Sequence, residues 1–415
     1  MEILLTFKFD FNDRFMKILH TSDWHLGHKI YNQSQQEEQI LFLKWLEEYI
    51  ITHKVDVLLV AGDIFDSGSP SNQSLEMYYS FLVKLTMTTC KSIIITGGNH
   101  DSPGTLNAPK HILNALSIQV VGKAPENINE EVFEICINKE CIIIGAVPYL
   151  RDQDIRKALA GESFDELNDR YKKALINHYT ELATYCKSIN KKNVPVIATG
   201  HLFAIGGSVS DSEQNIYVGS LGHIGANDFP AYFDYIALGH LHRSQLVANN
   251  PKIRYSGSPF ILGFSELNYE KKVIIITVEN NNISKIEDAI VPRFREFYKI
   301  TGTKEEVINQ FPILSSNSYQ LTPFVEIILD KEAVLIYDDI KKNAEDYAFN
   351  ILKTTIKNQR KTEGIEELLR NTKSIKELQP EDVFKLKCTK QGFDLAKNPQ
   401  IQDAFNEILQ KIKEQ

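Results

Sequence analysis

Five short motifs follow one another along the chain, and each carries side chains that bind divalent metal ions. They are Asp23-Trp24-His25, Gly62-Asp63-Ile64-Phe65-Asp66, Gly98-Asn99-His100-Asp101, Gly200-His201 and Gly239-His240-Leu241-His242. Oxygen ligands combined with neutral imidazoles suit ions that activate water for attack on phosphate. A single G-D or G-H pair is a common turn. Five such motifs in order indicate the ligand set of a two-metal phosphoesterase.

The spacing within the motifs suggests how the side chains share two ions. A carboxylate can bind one ion with each oxygen, and Asp63, at the end of the most hydrophobic strand, has the best position for this bridge. Asp23 and His25 are two residues apart in an extended segment, so both side chains project the same way and can reach one ion. The same spacing relates His240 to His242.

The elements that must position these motifs are strands, because each motif follows an apolar, strand-like run. Strands at Lys17–Ser22, Val55–Ala61 and Ile93–Thr96 alternate with a helix at Gln33–His53 and a second helix opened by Pro70. This alternation predicts βαβ units and a largely parallel sheet. Open α/β sheets bind ligands outside the carboxyl ends of their strands, so we expect the motifs to meet there.

The same patterns extend through the rest of the chain. Further strands are predicted at Cys141–Val147, Val194–Thr199, Tyr235–Leu238, Ile253–Ser256 and Val273–Val278, with a long helix at Phe164–Asn190. The predicted buried face of the first helix consists of Ile40, Leu43, Leu46 and Ile50. Glycines precede the candidate ligands at sharp strand exits, where positive φ or close backbone approach is often required.

Composition bounds the class of protein. A chain of 415 residues predicts two or three domains with a core that needs no disulfides. The five cysteines are scattered and odd in number, which predicts reduced thiols and a cytoplasmic protein. No apolar run approaches the ~20 residues of a membrane-spanning helix. The start of the chain does not resemble a signal peptide.

The net charge of −8 argues weakly against a protein that grips nucleic acid by charge alone. Metal-ligating carboxylates inflate the acidic count, however. Two bound divalent cations would return positive charge where a phosphate must dock. We therefore expect any further grip on nucleic acid to come from local patches or from a partner.

The two ends of the chain each allow two interpretations. Residues 1–15 precede the first core strand as an N-terminal extension, and an ordered edge strand over Ile3–Phe9 is equally compatible with the pattern. Near the other end, apolar residues recur at helical spacing from Ile401 to Ile412. From spacing alone we favour packing of this stripe on the protein's own small domain over docking on a partner. Among the remaining histidines, His20 is predicted to lie in the core, and His28 lies in a loop beside the first motif.

The motif order resembles that of the calcineurin-like metallophosphoesterases. Longer strings resemble, more specifically, the SbcD family of bacterial nuclease subunits. These strings are Lys17–Gly27, Ala61–Pro70, Ile216–Gly219, Tyr235–Arg243 and Tyr255–Pro259. The sequence resemblance is strong from about Met16 to Val278. In the remainder of the chain only the layout of the predicted elements is similar.

The resemblance implies roles for individual residues. One ion would be held by Asp23, His25, Asp63 and His242, and the second by Asp63, Asn99, His201 and His240. The ions would preferably be manganese. His100 would not be a ligand but would face the scissile phosphate and protonate the leaving oxygen. Asp101 would orient His100, and Asp66 occupies a position where the bacterial branch usually carries aspartate.

The resemblance also implies an architecture. The fold would be an α/β, four-layer αββα sandwich over residues 16–290, followed by a small α+β capping domain. The cap would begin at 291–331 and extend to about 375, and a helical segment at 376–415 would bind the SMC-like ATPase SbcC, which reverses our interpretation of its apolar stripe. The family forms a homodimer within a heterotetramer. Candidate dimer contacts here are Tyr78, Phe81, Leu82, Leu85 and Ile112.

The function implied is that of a manganese-dependent DNA nuclease subunit in a DNA repair complex. It would hydrolyse phosphodiesters by a two-metal mechanism, as a 3′-to-5′ double-strand exonuclease and a single-strand or hairpin endonuclease. The first alternative is a phosphatase or small-molecule phosphodiesterase, because the same ions cleave monoesters. The second is a non-enzymatic scaffold that holds DNA ends, which would be favoured by a lost ligand, and no ligand is lost from the motifs.

Overall fold

The computed structural model describes residues 15–151, 154, 164–205, 224–316, 318–330, 334–357, 384 and 405. The chain divides into two compact units, Met1–Ile356 and Lys357–Gln415. In the second unit the rings of Phe384 and Phe405 stack with centroids 3.8 Å apart. The N-terminal extension, apart from Phe15, and nearly all of the predicted SbcC-binding segment lie outside the described residues.

The described residues form nineteen strands and eight α-helices. The strands are β1 (Met16–Thr21), β2 (Lys29–Ile30), β3 (Gln33–Ser34), β4 (Val57–Ala61), β5 (Ser92–Thr96), β6 (Ile118–Val121), β7 (Val132–Ile137), β8 (Glu140–Gly145), β9 (Val196–His201), β10 (Ala204–Ile205), β11 (Ile224–Gly225), β12 (Tyr235–Gly239), β13 (Gln245–Val247), β14 (Asn250–Tyr255), β15 (Lys272–Glu279), β16 (Asn282–Ile290), β17 (Phe297–Gly302), β18 (Phe324–Leu329) and β19 (Asn350–Ile356). The helices are α1 (Gln36–His53), α2 (Asn72–Leu85), α3 (Pro103–Asn107), α4 (Lys110–Asn114), α5 (Phe164–Ile189), α6 (Lys304–Ile308), α7 (Phe311–Ser315) and α8 (Val334–Ala344).

Two six-stranded sheets form the centre of the first unit. Their strand orders are β16-β15-β1-β4-β5-β6 and β13-β14-β12-β9-β8-β7. The strands that carry the motifs, β1, β4 and β5 in one sheet and β9 and β12 in the other, are mutually parallel within each sheet. Their carboxyl ends therefore lie at the same edge, which is the arrangement that the βαβ pattern predicts.

The sheets pack face to face, with helices on both outer sides. In β4, Val57 and Leu59 face the second sheet, while Leu58 and Val60 face the helical layer, and all four are buried. A parallel strand covered on both faces is uniformly apolar, as the sequence of β4 is. Helices α1 and α2 cover the first sheet and α5 covers the second. The predicted α/β, four-layer αββα sandwich is confirmed.

Three local predictions for the first helices are wrong. Helix α1 begins at Gln36, because Gln33–Ser34 pairs with Lys29–Ile30 in a small hairpin. Its buried face includes Leu43, Leu46 and Ile50, but Ile40 is 48% exposed. Helix α2 begins at Asn72 after Ser71, whose hydroxyl accepts from the Ser74 N–H, so the cap is Ser71, and Pro70 lies before it.

Four of the five candidate dimer contacts are part of the monomer core. Tyr78, Phe81, Leu82 and Leu85 are at most 3% exposed and belong to the core that α1, α2 and the first sheet share. Side chains that the monomer buries cannot also form a surface for a second copy. Ile112, at 71% exposed, remains on the surface.

The cysteine prediction is wrong for one pair. Cys136 and Cys141 face each other in the register of the β7–β8 hairpin, and a disulfide joins them. A spacing of five residues places two cysteines opposite each other only when a tight hairpin lies between them, which a C-x-x-C pattern does not detect. Cys90 and Cys186 are buried and free, and Cys388 lies outside the described residues.

The region after β16 forms a small α+β body with its own core. Its three strands pair in parallel in the order β17-β18-β19. Its core consists mainly of Ile300, Val307, Phe311, Val325, Ile327 and Ile340. Helices α6 and α7 lie between β17 and β18 along the chain, and β19 extends the body to Ile356.

A buried arginine joins this body to the sandwich. Arg295 is 4% exposed, and its Nε lies 2.7 Å from Glu38 Oε1 on α1. Its guanidinium also bonds to Glu37 and to the carbonyl of Thr322, and it lies over the ring of Phe324 at 4.2 Å. These contacts tie the α+β body to the helix that follows the first motif.

Candidate metal centre and active site

The strand ends bring the candidate ligands together at one edge of the sandwich. Asp63 and Asn99 follow neighbouring strands of the first sheet, whereas His201 ends β9 and His240 follows the neighbouring β12 in the second sheet. His201 Nε2 lies 3.1 Å from Asp63 Oδ2 and 2.9 Å from Asn99 Oδ1. His240 Nδ1 lies 3.0 Å from the same Asn99 oxygen. The site therefore spans both sheets.

A second group of ligand atoms lies beside the first. Asp23, His25 and His242 each place one ligand atom within 4.8 Å of the others, and so do Asp23, Asp63 and His201. His25 Nε2 is 3.6 Å from Asp63 Oδ2. The carboxylate of Asp63 thus borders both groups. All seven predicted metal-binding residues meet in one centre.

The loops that carry the ligands have strained backbones. Asp23, His25, Asp63 and His240 have φ values of 53°, 42°, 50° and 102°, in the left-handed region that few residues other than glycine adopt. Each such residue costs of order 1–3 kcal/mol, and residues of this kind cluster at functional sites. The surrounding structure maintains the strain, since Asp23 N donates to the carbonyl of Gly62 and His25 N to that of Asp63.

One glycine is required by close packing between the two ligand loops. A Cβ on Gly98 would lie 2.1 Å from Asp63 Oδ1 and 2.3 Å from Asp63 N. No side chain can occupy that space without moving Asp63. The position of Asp63 therefore requires a glycine at position 98.

The donor set fits divalent ions. His25 is 3% exposed, and its two buried ring nitrogens make no hydrogen bond. A buried imidazole without hydrogen-bond partners is costly unless another group, such as a metal, uses its lone pair. Carboxylates, one amide oxygen and neutral imidazoles, without a thiolate, are ligands that suit manganese and its neighbours. These residues fit two ions that share Asp63.

The histidine pKa values divide the imidazoles into two kinds. Burial lowers the pKa of His25 to about 4 and that of His240 to about 3, so both are neutral and able to ligate. Burial also opposes protonation of His201, but the charge and hydrogen bond of Asp63 raise its pKa to about 9. The same contact with His201 outweighs burial at Asp63 and holds its pKa well below the usual range. His201 and Asp63 therefore stabilise each other's charged forms.

His100 lies at the open side of the centre. It is partly exposed, and its ring centroid is 4.9 Å from that of His25. Its backbone N–H donates to Asp63 Oδ1 at 2.9 Å. Its Nδ1 lies 2.9 Å from the carbonyl oxygen of Asp66, which makes Nδ1 the donor and leaves Nε2 for other contacts.

The hydrogen bonds of the Asp101 carboxylate go to backbone groups and not to the His100 ring. The carboxylate is 2% exposed and accepts from three backbone N–H groups, those of Ile64, Phe65 and Gly98, at 2.9–3.1 Å. It therefore ties the second motif to the third. The ring of His100 is instead held by the Asp66 carbonyl, because the loop turns Asp101 inward.

The side chain of Asp66 lies at the rim of the centre. Its Oδ1 is 2.6 Å from His28 Nδ1 and 3.5 Å from His25 Nδ1. Burial raises its pKa, but these two histidines outweigh that effect and hold the pKa below the usual range. His28 Nε2 also contacts the carbonyl of Leu262. Asp66 thus borders His25 at the rim without a hydrogen bond to its ring.

Sequence reasoning missed a carboxylate behind the centre. Glu266 Oε1 lies 3.2 Å from His242 Nδ1, and Glu266 is buried. The residues are 24 positions apart, and Glu266 belongs to no metal-binding motif, so only the fold reveals the contact. His20 lies in the core as predicted, with its Nδ1 3.0 Å from the hydroxyl of Tyr235. The string Ile216–Gly219 lies outside the described residues.

The αββα sandwich and a centre of carboxylate, amide and imidazole ligands together define a metal-dependent phosphoesterase. A model described as calcineurin-like phosphoesterase matches residues 16–244, and one described as the type 5 capsule protein repressor C-terminal domain matches residues 293–391. The SbcD subunit of the SbcCD nuclease of Escherichia coli (strain K12) is 32% identical over 403 residues, which is 96% of this chain and 98% of that protein.

A second relative supports the same assignment. The SbcD subunit of the SbcCD nuclease of Bacillus subtilis (strain 168) is 33% identical over 265 residues, 63% of this chain and 66% of that protein. The chain belongs to the calcineurin-like phosphoesterase family and, within it, to the SbcD nuclease subunits. It is accordingly a metal-dependent phosphodiesterase of a nuclease family. Among the described residues, no helix has both the length and the apolar character needed to cross a membrane.

Proposed function

We propose that this chain is the manganese-dependent nuclease subunit of an SbcCD-type DNA repair complex. The observation that carries the proposal is the convergence of seven ligand side chains, Asp63 among them, with both nitrogens of buried His25 left without hydrogen bonds. Relatives named as the SbcD subunit of the SbcCD nuclease, one of them similar over almost the whole chain, support DNA as the substrate.

The ligands divide between two ions. We assign Asp23, His25, Asp63 and His242 to one ion. Asp63 and three further side chains, an amide and the two imidazoles that contact its oxygen, would hold the other. These three are Asn99, His201 and His240. Two divalent ions bound here would activate water and neutralise the charge that develops on the phosphate. Manganese accepts both oxygen and imidazole ligands.

His100 serves as the general acid in this proposal. Its Nδ1–H is engaged by the Asp66 carbonyl, so Nε2 is the atom that can carry a proton toward substrate. Its backbone N–H bonds to Asp63, which fixes the ring at the edge of the centre. Protonation of the departing 3′ oxygen by a positioned histidine contributes typically 10²–10⁴-fold to such a reaction.

The remaining assignments concern domains and partners. We propose residues 16–290 as the nuclease domain, and the α+β body that begins at 291 as a cap that shapes the DNA groove. Residues 376–415 would bind the SMC-like ATPase SbcC. The chain would act as a homodimer within a heterotetramer on DNA ends and hairpins, as a 3′-to-5′ exonuclease and an endonuclease. The names of the relatives support the SbcC partnership.

A comparison of substrates tests the proposal. The purified chain is incubated with Mn²⁺ and either end-labelled duplex DNA or a small aryl phosphate, beside an Asp63→Asn variant. We expect metal-dependent cleavage of DNA, loss of that activity in the variant and after chelation, and slow hydrolysis of the aryl phosphate. Rapid hydrolysis of the aryl phosphate with intact DNA would favour a phosphatase on the same scaffold.

A further inference from the structure

A buried carboxylate lies directly behind one of the candidate ligands. Glu266 ends the 3-10 turn Phe264–Glu266 and is fully buried. Its Oε1 lies 3.2 Å from His242 Nδ1. Its Oε2 accepts from the backbone N–H of Leu262 at 3.1 Å and from Lys271 Nζ at 2.7 Å. Both oxygens of the carboxylate are therefore engaged, and its position is fixed.

Lys271 connects this carboxylate to the backbone of the same histidine. Its Nζ donates to the carbonyl of His242 at 3.2 Å and to Ser258 Oγ at 2.7 Å. Lys271 is only 8% exposed, so its charge is balanced inside the protein by Glu266. The side chain and the backbone of His242 are thus held by one buried ion pair, which fixes both the ring and its loop.

The other imidazoles have different support. His201 Nδ1 is held by the backbone carbonyl of Ala61 at 3.0 Å. His240 directs Nδ1 itself at Asn99. The support that His242 receives is a carboxylate. A carboxylate behind a ligating histidine fixes the tautomer and makes the opposite nitrogen a stronger metal ligand.

We propose that Glu266 is a positioning residue for the metal centre. It holds His242 in the tautomer that carries a proton on Nδ1, so that Nε2 presents its lone pair to the ion shared with Asp23. Lys271 holds Glu266 in place and compensates its charge. This inference rests on the proposed function, because it needs the assignment of His242 as a ligand.

Mn²⁺ binding to the full chain tests the proposal. Metal-free wild type, Glu266→Ala and Glu266→Gln are titrated with Mn²⁺, and the free ion is followed by electron paramagnetic resonance. The control is Glu270→Gln, since Glu270 is 67% exposed and pairs only at the surface with Lys272. We expect Glu266→Ala to bind one of two ions 10–100-fold more weakly and the other normally. The control should bind both as wild type does.

A second readout separates positioning from loss of structure. In ¹⁵N-histidine NMR of the metal-free proteins, we expect His242 of wild type to carry its proton on Nδ1. Glutamine at position 266 can turn either its oxygen or its NH₂ group toward that nitrogen, so folded Glu266→Gln should shift part of His242 to the other tautomer and weaken one ion. The wild-type tautomer together with wild-type affinity in folded Glu266→Gln would overturn the proposal.

Different results would contradict the positioning role of Glu266 and the proposed metal centre. If wild type and Glu266→Ala both bind two ions with the same affinities, Glu266 has no positioning role, although the metal centre stands. If wild type itself binds no Mn²⁺, the proposed function fails and the role of Glu266 fails with it.

Discussion

Removal of the Asp101 carboxylate should destabilise the chain and separate two ligand loops. The side chain accepts from the N–H groups of Ile64, Phe65 and Gly98, and it is 2% exposed. Asp101→Ala leaves three buried donors unpaired, and each costs about 1–3 kcal/mol. The free energy of unfolding should therefore fall by about 3 kcal/mol or more. Asp101→Asn keeps the shape of the side chain but turns its NH₂ group toward a backbone donor. Its free energy of unfolding should therefore lie between those of wild type and Asp101→Ala.

The loss should also appear in catalysis. Asp101 ties the loop of Asp63 to the loop of Asn99, and a displacement of about 1 Å at a reacting group costs on the order of 10²-fold in rate. Urea denaturation and DNA cleavage with Mn²⁺ measure the two effects. Asp346→Ala, a change at an exposed surface position, is the control. A loss below about 1 kcal/mol with normal cleavage by Asp101→Ala would refute this reasoning.

Three further predictions follow from the same structure. Arg295→Met leaves the Glu38 carboxylate buried without its partner, and should lower the free energy of unfolding by about 3–5 kcal/mol in urea denaturation; an unchanged midpoint would show that the pair is not buried in solution. Gly98→Ala forces a Cβ against Asp63 and should abolish DNA cleavage, whereas Gly104→Ala, with its nearest neighbour 3.6 Å away, should leave it unchanged; equal activities would contradict the packing argument. Removal of bound Mn²⁺ by a chelator should lower the thermal midpoint, because the ion binds only the folded chain, and a midpoint that does not change with Mn²⁺ concentration would argue against a preformed centre.

The edge of the sheets at which the candidate ligands meet was predictable, because each ligand lies next to the strand that positions it. Each ligand follows an apolar strand, and parallel strands end at a common edge, so the positions of Asp63, Asn99 and His201 could be anticipated from the sequence. The burial of β4 on both faces was likewise apparent from its uninterrupted run of apolar residues. Five motifs at the ends of five strands therefore predict the site better than any single motif does.

What the sequence could not provide depends on contacts between distant residues. The Glu266–His242 bond joins two loops that meet only in the folded sandwich. The direction in which Asp101 points depends on the loop of Ile64, so its role could not be read from its place beside His100. The same applies to Tyr78, whose helical spacing fits a dimer surface and a core equally well, whereas the fold buries its ring against Phe65.

Some local features could not be predicted because the same residue spacing is compatible with two different structures. Ile40 fits the apolar period of α1, but the helix turns Gln39 and Phe42 toward the core and leaves Ile40 at the surface. Cys136 and Cys141 have an ordinary spacing, and the β7–β8 register places them opposite each other. In both cases the deciding information is how an element is oriented or paired against its neighbours, which the spacing of residues within it does not fix.

The most direct test of the central claim combines metal content with cleavage of a DNA hairpin. Wild type and His100→Ala are loaded with Mn²⁺, their bound metal is counted, and an end-labelled hairpin is added to each. We predict two ions per chain in both proteins, cleavage by wild type and little or none by the variant, because His100 protonates the leaving oxygen without holding an ion. Equal cleavage by both proteins, or loss of an ion from His100→Ala, would contradict this account.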